Sequence, residues 1–486
     1  DRYYSSIGYY DETGFPLESG YERLSFNLNG EYKIKNWLKA SGFVNFSRSE
    51  TNPNYMSDAN FWSVVPAVPP TFKGANMDGT VIKLINNTQN ANWNEMKNYY
   101  YRRNTAYKTT LGTSFQIDLM KGLSLKMSGM WYLHMVEKES FNKELPNGPG
   151  KVDSNRKASA DYARRLDQTY NAILNYNASF GNHNISAVGG FEMIDKYNFG
   201  LKASGQGATS DDFIGLQFTE PLDANGKSTR NMSTTHTQER IMSGFINASY
   251  DYKSKYLFSF SGRYDGYSKL VDNRWGFFPG VSIGWRISEE KFFEKLRPVV
   301  DDLKIRASIG QTGTEKDVKL FDYLSGYTWN NGNAVLDGEL VTGLNQRGLP
   351  ITNLSWTKNT TSNIGFDLTM FNNRLKITAD AFRKDITGVP AARYDVLLPS
   401  EVGYSLPNEN LNKQAYIGAE GMVTWTDHIG DLNYTVSGNF TFSRYKSIET
   451  YKPRFNNSWD EYRNSAEGRW GGIYFCLLYT SDAADD

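Results

Sequence analysis

A single cysteine, Cys476, stands in 486 residues, so no disulfide can form within the chain. Only four histidines occur, His134, His183, His236 and His428, and none sits beside a second ligand at metal-binding spacing. Zinc sites and hydrolytic triads both need such clustering. No run of about 18 apolar residues exists, which excludes a transmembrane helix. The longest uncharged stretch near the start, Phe61 to Phe72, is interrupted by Pro66, Pro69 and Pro70. Fifty-three basic residues balance 53 acidic ones, so bulk electrostatics provide no attraction to nucleic acid or an anionic surface. No signal peptide is visible either: residue 1 is Asp and the first Met is Met56. The chain is therefore expected to begin inside something longer, or after processing.

What the chain does have is a two-residue rhythm. Leu123, Leu125, Met127, Gly129, Trp131, Leu133 and Met135 alternate with Ser124, Lys126, Ser128, Met130, Tyr132 and His134. The pattern recurs in Tyr107/Thr109/Leu111/Thr113/Phe115/Ile117/Leu119, Tyr256/Phe258/Phe260/Gly262/Tyr264 and Leu432/Tyr434/Val436/Gly438/Phe440/Phe442. Soluble strands usually run about 5–6 residues, whereas a tilted strand crossing a bilayer needs about 9–11. Long one-sided strands are expected where one face meets lipid and the other a wet lumen. Low mean hydropathy is compatible with this, since only alternate residues need be apolar. Aromatic residues make up 15%, with 32 Tyr and 11 Trp, a load suited to interfacial girdles.

The pattern predicts an all-β protein, a transmembrane antiparallel β-barrel, with about fourteen strands in pairs. Short turns are expected at Lys35-Asn36, Met120-Lys121-Gly122, Gly181-Asn182-His183, Lys253-Ser254, Asn372-Asn373 and Gly430-Asp431. Long loops alternate with them: 49–104, 139–162, 198–234, 312–355 and 387–410. Short turns on one side and long loops on the other match periplasmic turns and extracellular loops. Asn54, Asn94, Pro146, Asp223, Trp329 and Pro399 would then face outside. The longer connection near Glu289 to Val300 would lie inside, with a helical turn or two over Glu290 to Leu296.

Motifs of chemistry are weak. Gly280-Val281-Ser282-Ile283-Gly284 has the spacing of a nucleophile elbow but alternates like a strand, without the strand-to-helix turn. Gly226-Lys227-Ser228 lacks the upstream glycine of a phosphate loop, having Pro221 there. Gly205-Gln206-Gly207 has no third glycine and no βαβ context. Asp211-Asp212 and Asp223-Ala224-Asn225-Gly226 fit solvated turns better than calcium loops. Two aromatic stretches, Asn92-Trp93-Asn94 with Tyr99-Tyr100-Tyr101-Arg102-Arg103, and Tyr327-Thr328-Trp329-Asn330-Asn331, suit sugar contact. The more ordinary role of the same rings is to anchor the membrane interface or to pack loop against loop. No catalytic, cofactor or metal residue is assigned, and no substrate-contacting one.

Several stretches carry a family resemblance. They are Tyr250-Asp251-Tyr252, Lys255-Tyr256-Leu257, Arg263-Tyr264-Asp265-Gly266 and Asn273-Arg274-Trp275-Gly276-Phe277-Phe278-Pro279. Leu303 to Gly313, Ser362 to Asp367 with Phe371 to Leu375, and Asn412 with Ile417-Gly418-Ala419-Glu420 continue it. Together they resemble the barrel of SusC/RagA-type TonB-dependent transporters of Bacteroidetes. The resemblance implies an outer-membrane barrel of about 22 strands, no enzymatic activity and no cofactor. It also implies uptake of oligosaccharides or peptides, with a SusD-like surface lipoprotein as lid and TonB as the energy link. Outer-membrane lipid would surround the barrel, and no nucleic acid is implied. A siderophore or cobalamin receptor is the alternative, with a passive pore or surface glycan-binding barrel behind it. The signal peptide, N-terminal extension, TonB-contacting segment and plug of such transporters are expected to lie outside this stretch. Residues 1–475 are accordingly expected to be part of a barrel, and 476–486, which break the alternation, a non-native tail resembling sequencing-adapter read-through.

Overall fold

The computed structural model describes residues 1–14, 19–53, 77, 84–85, 88–89, 99–146, 152–153, 155–316, 318–324, 326–346, 349–392, 399, 406–451 and 454–471. The strands in chain order are β1 (Arg2–Thr13), β2 (Gly20–Lys35), β3 (Leu38–Asn52), β4 (Leu84–Ile85), β5 (Thr88–Gln89), β6 (Tyr100–Met120) and β7 (Leu123–Asn142). They continue as β8 (Leu145–Pro146), β9 (Val152–Asp153), β10 (Lys157–Phe180), β11 (His183–Gln206), β12 (Asn231–Tyr252), β13 (Tyr256–Tyr267) and β14 (Trp275–Arg286). The last are β15 (Val300–Thr314), β16 (Tyr327–Leu336), β17 (Glu339–Gln346), β18 (Thr357–Met370), β19 (Leu375–Ala391), β20 (Glu409–Ile429) and β21 (Leu432–Glu449).

Fifteen of these form one antiparallel sheet in the order β1-β2-β3-β6-β7-β10-β11-β12-β13-β14-β15-β18-β19-β20-β21. The remaining six make three separate hairpins, β4–β5, β8–β9 and β16–β17. Strands neighbouring in sequence are neighbours in space, as an up-and-down barrel requires. The alternation of short and long connections is present: two residues separate β2 from β3, β6 from β7, β10 from β11 and β20 from β21. At β12–β13 both Lys253 and Ser254 take positive φ, 55° and 54°, the twist that suits a tight hairpin.

Register explains why the pattern is one-sided. Phe258 lies opposite Ile283, Phe260 opposite Val281 and Tyr264 opposite Phe277. Val281 faces Ile309, Ile309 faces Ser362, and Ile305 faces both Trp285 and Phe366. Ile377 then meets Val423, and Trp425 meets Val436. Most apolar residues on this face fall beside apolar residues, Ile309 against Ser362 being an exception, and a slip of one position would reverse every face. These side chains are exposed: Ile283 57%, Ile364 60% and Phe440 60%. An exposed apolar face of this extent requires an apolar surrounding.

Two compact units divide the chain. One comprises Asp1–Asp118, Lys126–Ala172 and Met193–Arg240; the other comprises Leu119–Leu125, Ile173–Glu192 and Ile241–Asp486. In the first, Phe141, Ala158 and Ala208 are buried with Tyr101 and Leu216 packed against them. In the second, Tyr267, Leu270, Phe278, Val318, Leu354 and Trp356 form the core. Both clusters lie at the long-loop ends of strands.

Three differences from the sequence reading stand out. The sheet has fifteen strands where about fourteen were expected, because β1 was overlooked: Tyr3, Tyr4, Tyr9 and Tyr10 put rings on both faces and blur its alternation. Strands reach further into the expected loops, β10 and β11 running 24 residues each. The expected 312–355 loop contains the β16–β17 hairpin. The Glu289 to Val300 connection does carry helical turns, 3-10 segments at Ile287–Glu289 and Lys291–Leu296. Asn54, Asn92, Trp93, Asn94 and the 476–486 tail lie outside the described residues, as do the side chains of Pro146, Trp329, Asn330 and Asn331.

Candidate functional site

The polar face of the second unit is built row by row. Ser249, Ser259, Ser282, Ser308 and Asn363 stand directly opposite one another across β12, β13, β14, β15 and β18. Ser259 and Ser282 share a hydrogen bond of 2.5 Å. Ser282, the serine of the elbow-like spacing, is thus one rung of a strand ladder.

The adjacent row runs Gly284, Arg306, Gly365, Asp380. Arg306 sits on β15 and Asp380 on β19, with β18 between them. They meet because Gly365 has no side chain: a Cβ there would lie 2.4 Å from Asp380 Oδ1. Across that gap Arg306 Nη1 and Nη2 donate to the two oxygens of Asp380 at 2.6 and 2.5 Å. Asp367 accepts from Arg306 Nε at 3.4 Å and pairs with Lys304 Nζ at 2.7 Å. A planar guanidinium gripped at two edges is a rigid arrangement. The serine row, with Gly284 and Arg306 of the next, lines a concavity of about 1300 Å³, which Asn184, Asp251 and Lys304 also border. The chemistry available is hydrogen bonding and charge. Among the described residues, no group of three or more His, Cys, Asp or Glu side chains could hold a metal ion.

Loop-end residues are fastened to each other. Phe278 packs edge-on against Trp356, ring centroids 5.4 Å apart. Trp356 Nε1 donates to the Arg274 carbonyl at 3.1 Å, and Asn273 Nδ2 to that of Asn353 at 3.2 Å. Gly313 makes room: a Cβ on it would lie 2.1 Å from Phe278 Cζ. The Asn273–Pro279 and Leu303–Gly313 stretches thus meet in one contact.

In the first unit the Tyr100–Arg103 segment is strand. Arg102 donates to the Tyr101 and Phe141 carbonyls at 2.8 and 3.3 Å and to Asn142 Oδ1 at 2.9 Å. Arg103 is bonded to both oxygens of Glu50. These bonds tie both guanidinium groups to the wall. Asp211 accepts from Arg156 Nε and from the Glu144 amide, each at 2.8 Å. Burial works against its ionisation, but those two donors outweigh burial and hold the carboxyl below its usual value. Asp223 accepts from the Asn225 and Lys227 amides at 2.9 Å, closing a turn. The four histidines stay apart: His183 bonds Tyr250, His236 faces Tyr197, His428 adjoins Asp427, and His134 lies in β7.

Sequence reasoning singled out none of Arg306, Asp367 or Asp380 as a site. Each occupies a polar position of an alternating strand, and only the register and Gly365 unite them.

The family model described as TonB dependent receptor-like, beta-barrel matches residues 69–486. TonB-dependent receptor P39 of Formosa agariphila is 26% identical over 459 residues, 92% of this chain and 41% of that protein. TonB-dependent receptor SusC of Bacteroides thetaiotaomicron is 31% identical over 284 residues, 57% of this chain and 27% of that protein. The chain therefore spans less than half the length of the curated relatives it matches. Among solved structures, the RagAB peptide importer in its open-open state superposes with a TM-score of 0.76 at 22% identity. That match covers 93% of this chain and 49% of the RagAB chain.

Proposed function

Because this chain belongs to the TonB-dependent receptor β-barrel family of the outer membrane, we propose that it forms lumen wall and extracellular loops of a SusC-type nutrient importer. The imported solute is an oligosaccharide or a peptide. A SusD-like lipoprotein covers the extracellular mouth, and TonB supplies the energy. The observation that carries this reading is the division of the sheet into two faces. One is a continuous apolar band set by register; the other is a hydroxyl and charge lining around a concavity of about 1300 Å³. A face of Ser, Asn, Arg and Asp exchanges hydrogen bonds with a hydrophilic solute and offers a lipid nothing.

The test is uptake. Cells expressing the gene, with and without TonB, are given labelled oligosaccharides, labelled peptides and a ferric siderophore, and a surface lipoprotein is sought by affinity capture under mild detergent. TonB-dependent entry of an oligosaccharide or peptide, with a lipoprotein co-purifying, supports the reading. Entry without TonB points to a passive pore, and entry of the ferric siderophore alone to the receptor alternative; either overturns it.

A further inference from the structure

Among the described residues, the connection between β14 and β15 is the short-turn link that carries exposed apolar side chains on 3-10 helical turns. Its 3-10 segment, Lys291–Leu296, buries Phe293 but leaves Phe292 67% exposed, with Leu296 at 54% and Val299 at 45%. Water-facing turns have no use for three such side chains in nine residues. The segment is also held in place. Glu290 Oε1 accepts from Tyr256 Oη at 2.7 Å and from Trp285 Nε1 at 3.1 Å, and Oε2 pairs with Lys255 Nζ at 2.6 Å. On the far side, the Phe371 amide donates to the Val299 carbonyl at 2.9 Å.

The residues that hold it show where it sits. Tyr256 and Trp285 are opposite each other in register, and Trp285 is opposite Ile305, so both belong to the apolar face. They end that face at the turn side, with polar edges meeting Glu290, as aromatic rings do at a headgroup boundary. The Phe292 ring stands edge-on to Trp285 at 6.5 Å and prolongs the apolar band beyond the last strand residue. Phe371, in the neighbouring turn, lies 6.3 Å from Trp425, another member of that band. Lys291 and Lys295 flank Phe292 and Leu296 and have no ion-pair partner among the described residues. Lysines so placed reach phosphates while their stems stay in apolar surroundings.

We propose that residues 287–299 form an interfacial anchor. Phe292, Leu296 and Val299 sit in the periplasmic leaflet of the outer membrane, and Lys291 and Lys295 meet its lipid phosphates. The occupant of this patch is phospholipid, argued from continuity with the lipid-facing band; the inference rests on the outer-membrane placement of that band. Such an element would fix the depth of the wall at β14–β15, where the connection is longest.

The experiment places a nitroxide at three positions in a Cys476→Ser background, in the protein expressed from its full reading frame and studied in outer membranes and in phospholipid vesicles. The positions are Phe292→Cys, Ile283→Cys on the lipid face of β14, and Asp431→Cys in a water-facing turn. All three side chains are exposed, so labelling leaves the packing intact. Collision rates with oxygen and with a water-soluble nickel chelate report depth. The expected result is that the Phe292 site collides with oxygen more, and with nickel less, than the Asp431 site, in both preparations. A Phe292 site as open to nickel as Asp431, with Ile283 still lipid-like, overturns the anchor and leaves the barrel reading intact. An Ile283 site open to nickel would overturn the barrel placement itself, and the anchor with it. Shielding of Phe292 from both reagents in outer membranes, lost in vesicles, would show a protein cover and overturn the lipid assignment.

Discussion

The contact between Phe278 and Gly313 gives the sharpest test of how the outer end of the wall is held. Gly313 takes no unusual φ, so alanine there is limited by space alone. The added Cβ would come 2.1 Å from Phe278 Cζ, 2.5 Å from Cε1 and 2.9 Å from Cε2, where ordinary contact begins near 3.4 Å. The ring has little freedom to withdraw. Phe278 is 5% exposed, Trp356 closes one side, and a Cβ on Gly276 would already touch it at 2.6 Å. Overpacking of this kind costs about 1–3 kcal/mol. Phe278→Ala removes the ring itself, which costs about 3–5 kcal/mol for a buried phenylalanine, limited by the cluster's own opening free energy.

The 315–356 loop is tied to this cluster by Val318, Leu354 and Trp356, so opening the cluster releases the chain around exposed Lys319. Tryptic cleavage at Lys319 therefore reads the opening equilibrium when closing is faster than cutting. Gly313→Ala should accelerate it roughly 5- to 150-fold, from about 1–3 kcal/mol at 1.4 kcal/mol per tenfold. In the double variant the alanine methyl enters space the ring has left, so the two costs should fall short of their sum by about 1 kcal/mol or more. Cleavage of Gly313→Ala at the parental rate, or strict additivity of the two substitutions, would refute the contact.

Three further outcomes follow from the same geometry. Gly365→Val should push Asp380 away from Arg306 and lower thermal stability in detergent by roughly 1–2 kcal/mol, since the pair is partly water-exposed; an unchanged unfolding midpoint would remove Gly365 from that role. Glu290 is held down to about 2, chiefly by the Lys255 ammonium, then by the Tyr256 hydroxyl and, against some burial, the Trp285 indole. Its folded value lies below the unfolded one, so its stabilising effect is full above about pH 4.5 and disappears as pH falls through about 2. Hydrogen exchange over 287–299 should accordingly stay flat from pH 7 to 5 after correction for intrinsic rates, and a step near pH 6 would contradict the clasp. Asp211→Asn should loosen the 207–230 loop, because Arg156 loses one of its two carboxylate partners and keeps only Glu144, at 2.6 Å; faster proteolysis within 207–230 is the readout, and parental resistance would count against the pairing.

The fold was legible where chemistry alternates and illegible where it does not. Leu432 to Phe442 announces its face at every second residue, and β21 sits against β20 in that register. β1 has rings on both faces, so no period emerged from Tyr3 to Tyr10. The charge cluster on the polar face had no local signature at all. Lys304 and Arg306 are two residues apart, but Asp367 and Asp380 come from the next two strands, and a chain read linearly cannot state register. The glycines were the overlooked signal. Gly365 and Gly313 interrupt strands whose neighbours favour larger residues, and a glycine in a strand marks a close approach.

That distribution bears on how such a wall can change its cargo without losing its fold. A barrel has no central apolar core, and the lipid-facing band demands only apolar character, not particular partners. Two small buried clusters lie at the loop ends, around Phe141 in one unit and Phe278 in the other, while Phe293 is buried at the turn side. Residues joining those clusters, among them Phe278 and Gly313, are constrained by shape. Tyr327 at 70% exposure, Phe213 at 50% and Met232 at 80% lie outside the clusters, Phe213 touching only the half-open ring of Phe218 at 4.9 Å among the ring contacts described. Substitutions there should leave stability within about 0.5 kcal/mol while altering which solute enters. A transport screen of Tyr327→Ala, Phe213→Ala and Met232→Ala alongside Phe278→Ala separates the two classes. Solute preference should shift in the first three without loss of assembled protein, whereas Phe278→Ala should lower assembled protein for every solute alike. The reverse assignment would mean that loop-end packing, not the exposed rim, selects the cargo.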